Sequence, residues 1–193
     1  MARALSLVLK IAALCAFIGP VVLLGSDLLL QTASFEWTIG LWIAMVLMIP
    51  ALIGFTYLLA SNGSRFAIIG GCFAYLGLVA GASMQVLFRV YSVLEEQGSM
   101  AAIEQLRSTF KLVASTQMIG LTWPLGLILL SIACLTTRAV HFAIPILLVL
   151  GAIAFPIGRI AGSNAGVLIS GMVFIAAFSM IGMKLWSISE EIV

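Results

Sequence analysis

The chain has 193 residues, of which 63% are hydrophobic and only 8% are charged, and its net charge is +2. Ordinary soluble domains are about 45–50% apolar, so this composition excludes a soluble globular protein and indicates a lipid bilayer as the surroundings. The charge is too small and too dispersed for a nucleic-acid partner, which leaves membrane lipids as the expected contact.

The cysteines and the histidine exclude most metal chemistry. Cys15, Cys72 and Cys134 lie far apart, each inside an apolar run, and His141 is the only histidine. No CxxC pair or Cys/His cluster is present, so the sequence predicts no disulfide framework and no metal or haem cofactor. The chain also has no Ser/His/Asp set, HExxH motif or paired aspartates. An intramembrane enzyme is therefore the least favoured class of function.

Six apolar runs predict an all-α bundle of six transmembrane helices, in one domain that covers residues 1–193. A membrane helix needs about 20 apolar residues to cross about 30 Å of hydrocarbon. The predicted spans are residues 5–24 or 11–24, 39–60, 66–91, 115–135, 140–157 and 165–188. The first run lacks a clear cleavage site, so we expect a retained helix and not a secretory signal. Gly25-Ser26-Asp27 is expected to end or kink it, with residues 28–37 along the interface.

One polar stretch, residues 92–111, interrupts the apolar pattern. Gly98 and Ser99 resemble a helix break followed by an N-cap. After them, apolar residues recur at helical spacing opposite charged ones: Ile103, Leu106, Phe110 and Val113 against Glu104, Arg107 and Lys111. The pattern predicts an interfacial amphipathic helix that precedes the fourth span.

The fourth span contains Thr122-Trp123-Pro124. A proline inside a helix removes a backbone hydrogen bond. The motif is therefore either a broken helix of the kind that transporters use or a single proline with local compensation.

The positive charges predict that both termini lie in the cytoplasm, by the positive-inside rule. In the six-span topology the basic residues on the inner side are Arg3, Lys10, Arg65, Arg138 and Lys184, and those on the outer side are Arg89, Arg107, Lys111 and Arg159. The inner loops are also short and free of acidic residues.

Small residues recur every four positions in two predicted helices. These stripes contain Gly77 and Gly81 followed by Gln85 and Arg89, and Gly158, Gly162 and Gly166 followed by Ser170. Such stripes allow close helix packing in membranes, where apolar side chains gain little by leaving lipid. Packing inside the bundle is the simplest role. A partner helix or a second copy of the chain is the alternative.

Polar residues gather near the predicted outer end of the bundle. Arg89 lies about 35 Å along its helix from the inner side, and Gln85 lies one turn deeper. The residues at this level are Asp27, Glu36, Gln85, Arg89, Gln117, Arg159 and Asn164. They form a candidate ligand-binding vestibule, in which the arginines face Asp27 or Glu36 and the glutamines line the floor. The alternative is that they are ordinary interfacial residues, with arginines that reach lipid phosphates.

Two functions follow from these patterns. The first is binding, transport or sensing of a small molecule or lipid at the outer polar vestibule. The second is a structural or regulatory subunit that packs against partner helices through its glycine faces.

The segment from Trp123 to Pro156 resembles a family of bacterial multi-helix membrane proteins that are grouped as a domain of unknown function. The similar features are Trp123-Pro-Leu-Gly, then Thr137-Arg, Ile144-Pro, and Leu150-Gly-Ala-Ile-Ala-Phe-Pro. The resemblance implies a bacterial plasma membrane as the location and brings no activity with it.

Overall fold

A computed structural model of the chain describes residues 2–30, 36–109 and 119–192, except the side chains of residues 30, 36, 37, 107–109 and 160. These residues form helices and contain no strand. In chain order the helices are α1 (Ala2–Leu30), α2 (Glu36–Ser61), α3 (Arg65–Glu96), α4 (Met100–Thr109), α5 (Thr122–Thr137), α6 (Ala143–Ile160) and α7 (Asn164–Glu191).

Four of these helices are long and apolar enough to cross a membrane. They are α1, α2, α3 and α7, whose candidate spans are Ala2–Leu29, Thr38–Ser61, Arg65–Glu96 and Asn164–Glu191. The helices α5 and α6 are equally apolar but have only 16 and 18 residues. At 1.5 Å per residue they extend about 24 and 27 Å, slightly less than the hydrocarbon thickness. The structure therefore establishes an all-helical chain with four candidate spans.

The prediction that Gly25-Ser26-Asp27 ends the first helix is wrong, because α1 continues to Leu30. The alternative, a kink at this position, stays a prediction. The Ser26 hydroxyl donates to the carbonyl of Val22, one turn back, at 2.7 Å. Asp27 is buried in the bundle. Both polar side chains are thus accommodated within the helix. Residues 31–35, the middle of the predicted interfacial segment, lie outside the described residues.

Six helices pack as a closed ring in chain order. In the described part of the chain, α1 contacts α2 and α7, α2 contacts α3, α3 contacts α5, and α6 closes the ring between α5 and α7. The Ser6 hydroxyl of α1 donates to the Ser189 carbonyl of α7 at 2.7 Å, so the two chain ends lie together. We call this the terminal end of the bundle. The opposite end, which contains Asp27 and Arg159, is called the distal end.

Aromatic rings fill the middle of the ring of helices. Trp123 of α5 packs against Phe174 and Phe178 of α7, with ring centroids 6.0 and 6.5 Å apart. Phe155 of α6 contacts Phe174 at 5.8 Å. Phe174 and Phe178 are fully buried. This cluster connects α5 with α6 and α7 across the interior.

A close backbone contact joins α3 and α5. A Cβ atom added at Gly77 would lie 2.6 Å from the Cα of Trp123, and one at Gly126 would lie 2.7 Å from the Cβ of Ala74. Only glycine lets the two backbones approach this closely. The contact therefore fixes the start of α5 beside the middle of α3.

The glycine stripes predicted from the sequence are used inside the chain. Gly81 faces the side chain of Met45 on α2, and Gly158 faces the backbone at Gly166 within the α6–α7 hairpin. Gly162 has φ +61°, which suits the turn between those two helices. The packing role of Gly81, Gly158 and Gly166 is thus intramolecular.

The predicted amphipathic helix is present as α4, directly before the fourth apolar segment. Gly98, at φ +67°, follows the end of α3, and the Ser99 carbonyl accepts a hydrogen bond from the Ile103 amide. Ile103 is buried, whereas Glu104 is exposed, as the pattern predicts. The start of the fourth predicted span, at residues 115–118, lies outside the described residues.

We expect Gly77→Ala to lower the free energy of unfolding by about 1–3 kcal/mol, because the added methyl group overpacks the backbone of Trp123. The matched control is Gly25→Ala in α1, where an added Cβ meets no atom within 4 Å. Unfolding in mixed detergent micelles measures both changes. Equal stability of the two variants would contradict the packing described here.

Candidate functional site

A cavity of about 580 Å³ lies inside the ring towards the distal end. It lies on the distal side of the contact between α3 and the start of α5. Gly77, which contacts Trp123 at the start of α5, is about 18 Å along α3 from Arg65. However, α3 continues to Glu96. Gly120 and Leu121, which precede α5, also line the cavity.

The walls of the cavity are mainly apolar. Trp123 and Leu78 lie beside its floor, and Met48, Met84 and Phe88 line its sides. Methionine side chains adapt readily to ligands of different shape. These walls suit the apolar part of a ligand.

The polar lining lies at the distal mouth of the cavity. Arg159, at the end of α6, and Asn164, at the start of α7, both line it. The Arg159 guanidinium stacks over the Phe155 ring, with Cζ 4.5 Å from the ring centroid. The mouth therefore offers a cation and an amide to the polar part of a ligand.

Arg159 is held by a buried aspartate. Its Nη2 donates to Oδ1 of Asp27 at 2.8 Å, which joins the ends of α6 and α1. The Asp27 side chain is 1% exposed, whereas that of Arg159 is 28% exposed. Within the described residues, Oδ2 of Asp27 and Nε of Arg159 have no hydrogen-bond partner. In this pair the aspartate is thus buried, whereas the arginine is partly exposed at the mouth of the cavity.

Gln85 and Arg89 lie at the same end but line a different space. They border a groove of about 240 Å³ with Thr38, Ile39 and Trp42 of α2. Arg89 Nη1 donates to Oγ of Ser92 at 3.0 Å. It also lies 3.8 Å from Glu96 Oε1.

The structure therefore divides the predicted vestibule. Asp27, Arg159 and Asn164 lie at the cavity, and Gln85 and Arg89 lie at the groove. The expected pairing of an arginine with Asp27 is present for Arg159. The side chain of Glu36 and all of Gln117 lie outside what the structure describes.

Sequence reasoning missed the apolar part of the cavity. The available signal was Thr122-Trp123-Pro124, since proline is well tolerated in the first turn of a helix. Pro124 is the third residue of α5. Reading it as a helix start would have moved the start of the predicted fourth span from residue 115 to about Thr122, where α5 begins.

Among the residues whose placement is described, no group of three or more His, Cys, Asp or Glu side chains could hold a metal ion.

Comparison with known proteins gives no match to a family model, a curated protein or a solved structure. The resemblance to bacterial multi-helix membrane proteins therefore stays a prediction.

We expect Arg159→Gln to destabilise the protein by about 3–5 kcal/mol, because it leaves the buried Asp27 carboxylate uncompensated. Asp27→Asn should cost less, since Arg159 can turn towards solvent at the mouth. The double variant Asp27→Asn/Arg159→Gln should be more stable than Arg159→Gln alone. Unfolding in mixed micelles measures this double-mutant cycle. Additive effects would show that the two side chains do not interact.

Proposed function

We propose that this chain is an integral membrane protein that binds one amphipathic small molecule or lipid in the distal cavity. The observation that carries the proposal is the combination of an apolar interior with a single cation, Arg159, among the side chains at its described mouth. The ligand class is a hydrocarbon body with an anionic head. Binding is the step that transport and sensing share.

The size and lining of the cavity support this proposal. Small-molecule sites usually enclose about 300–1,000 Å³ and are mostly apolar with a few polar groups that fix orientation. The cavity has about 580 Å³ and satisfies both conditions. Arg159 supplies charge-assisted hydrogen bonds to a phosphate or carboxylate, which are stronger than neutral ones.

The proposed topology has six membrane spans, with both termini in the cytoplasm of a bacterial plasma membrane. Two observations support it. The helices α5 and α6 are apolar throughout and occupy full positions in the ring. The contact between Ser6 and Ser189 fits an even number of crossings. On this topology the distal end faces outwards.

The second candidate function, a subunit that binds partner helices through glycine faces, has less support. Gly77, Gly81, Gly158 and Gly166 already contact other parts of the same chain. No observation favours a particular partner.

The six-span topology predicts two groups of loops on opposite sides of the membrane. Single cysteines at Asn62 and His141 should react with a membrane-impermeant maleimide only from the cytoplasmic side. Cysteines at Gly98 and Gly162 should react only from the outer side. All four positions are exposed. Labelling of intact cells and inverted vesicles measures this. If His141 and Gly162 react from the same side, six spans are excluded.

The cavity proposal predicts saturable quenching of Trp123 by brominated decyl phosphate. The assay uses a chain in which Trp37, Trp42 and Trp186 are phenylalanine. We expect Leu78→Phe to weaken quenching because it fills the cavity. Leu76→Phe is the matched control, since Leu76 is 51% exposed on the outside of α3. Equal quenching in the two variants would contradict binding in the cavity.

The head-group proposal predicts a difference between decyl phosphate and decanol. In the Asp27→Asn/Arg159→Gln variant, decyl phosphate should bind about tenfold more weakly, because a hydrogen bond to a charged group contributes about 1.5–3 kcal/mol. Decanol affinity should be unchanged. Competition with the brominated ligand measures both. An equal loss for the two ligands would mean that Arg159 does not recognise the head.

A further inference from the structure

Two exposed arginines lie at the terminal end of the α3–α5 pair. Arg65 is the first residue of α3, and Arg138 directly follows the last residue of α5. Within the described residues, which include the α2–α3 and α5–α6 turns in full, neither side chain makes a hydrogen bond, an ion pair or a ring contact. This end of the pair thus offers two cations to a ligand.

The packing of α3 against α5 places the two arginines at nearly the same level. Gly70 of α3 lies against Leu130 of α5, and the two helices run antiparallel. Towards the terminal end, Arg65 is five residues from Gly70, a rise of about 7.5 Å. In the same direction, Arg138 is eight residues from Leu130, a rise of about 12 Å. Because packed helix axes lie about 8–10 Å apart, the Cα atoms of the two arginines are separated by about 10 Å.

Arg138 occupies a backbone conformation that favours glycine. Its φ is +53°, and it is the only residue other than glycine with a positive φ in the described part of the chain. Its amide donates to the Cys134 carbonyl at 2.9 Å and ends α5. A side chain makes this left-handed conformation strained, so glycine is the usual residue at such a helix end. The geometry of the turn therefore does not account for an arginine here.

The acidic side chains described at the terminal end are engaged elsewhere. They are Glu190 and Glu191 of α7, which lies opposite α3 in the ring order. Their carboxylates accept hydrogen bonds from Nε1 of Trp186 and Oγ of Ser187, at 2.9 and 3.3 Å. The two positive charges of the arginine pair are thus uncompensated within the described residues.

Large apolar side chains adjoin both arginines. Phe66 follows Arg65 and is 47% exposed, and Phe142, in the turn after Arg138, is 68% exposed. Leu135, in the last turn of α5, is 61% exposed. Aromatic side chains beside cations are typical of the level of a bilayer where head groups meet acyl chains. The chemistry of this surface therefore matches an anionic lipid.

We propose that Arg65 and Arg138 together bind one lipid in which a single glycerol joins two phosphates, as in cardiolipin. Each guanidinium binds one phosphate through charge-assisted hydrogen bonds. The acyl chains lie along the exposed apolar side chains of α3 and α5. One lipid with two phosphates is favoured over two lipids with one phosphate each, because binding of the first phosphate holds the second at a high effective concentration.

The test compares tetraoleoyl cardiolipin with dioleoyl phosphatidylglycerol, which has one phosphate and the same acyl chains. The full chain is placed in phosphatidylcholine nanodiscs with either lipid at equal total phosphate, and native mass spectrometry counts the bound lipid. We expect about fivefold tighter binding of cardiolipin, the ratio that one further arginine near an anionic lipid surface gives. Equal affinities of the two lipids would overturn the proposal.

Variants locate this preference. Arg65→Gln and Arg138→Gln should each abolish it. The matched control is Arg3→Gln, which removes an exposed cation of α1 at the same end and should retain the preference. An equal loss in all three variants would mean that the lipid responds to overall surface charge, which overturns the site. Leu78→Phe, which fills the cavity at the other end, should retain the preference, so failure of the cavity proposal leaves this result interpretable.

Arg138→Gly separates lipid binding from folding. Glycine adopts the left-handed conformation without strain, so the midpoint of unfolding in mixed micelles should not fall. The cardiolipin preference should nevertheless disappear, because the second guanidinium is gone. A preference that persists in this variant would overturn the role of Arg138 and with it the proposal.

Discussion

The close approach of α3 and α5 determines where a ligand can be held in this molecule. In a bilayer, helices gain little from hiding apolar side chains, so close packing supplies much of the cohesion. Gly77 and Gly126 allow backbone contact with Trp123 and Ala74. This contact places the indole of Trp123 against Phe174 and Phe178 and fixes the floor of the cavity. The rest of the cavity, with its walls and its mouth, is arranged around that floor, and the ring of helices surrounds it.

The distal cavity and the groove use the two sides of one helix pair. On α3, Met84 and Phe88 face the cavity, whereas Gln85 and Arg89 face the groove. The same division holds on α2, where Met48 lines the cavity and Trp42 lines the groove. One pair of helices thus separates two polar–apolar environments at the same depth. Their polar groups differ. The cavity mouth has a cation backed by a buried acid, whereas the groove has a cation and the Gln85 amide oxygen, which has no hydrogen-bond partner among the described residues.

Much of this architecture follows from hydropathy and helix geometry. Apolar run lengths predict the long helices, and the 3.6-residue period predicts the buried face of α4 at Ile103. Counting 1.5 Å per residue also predicts that Asp27 and Arg159 reach one end of the bundle. Their contact in the structure depends on this common level together with the ring order of the helices.

Other features depend on tertiary contacts that no single helix encodes. The residues Met84 and Gln85 are neighbours, and the sequence does not tell which of their two faces turns inwards. Similarly, α1 continues beyond Gly25 to Leu30, and its Asp27 pairs with Arg159, which is 132 positions away. The local signal there, glycine followed by two polar residues, predicts a helix end. In the structure the helix does not end there, and Asp27 contacts Arg159.

The packing of α1 against α7 constrains how the protein is made. During synthesis α1 emerges first, and its Asp27 has no Arg159 to meet until α6 has been translated. The surface of α1 that later receives Gly171 and Gly182 must also wait for α7, because Leu24 and Phe17 contact those glycines. Ring closure by α7 is therefore the last step of assembly, whereas Asp27 gains its partner one helix earlier, when α6 is present.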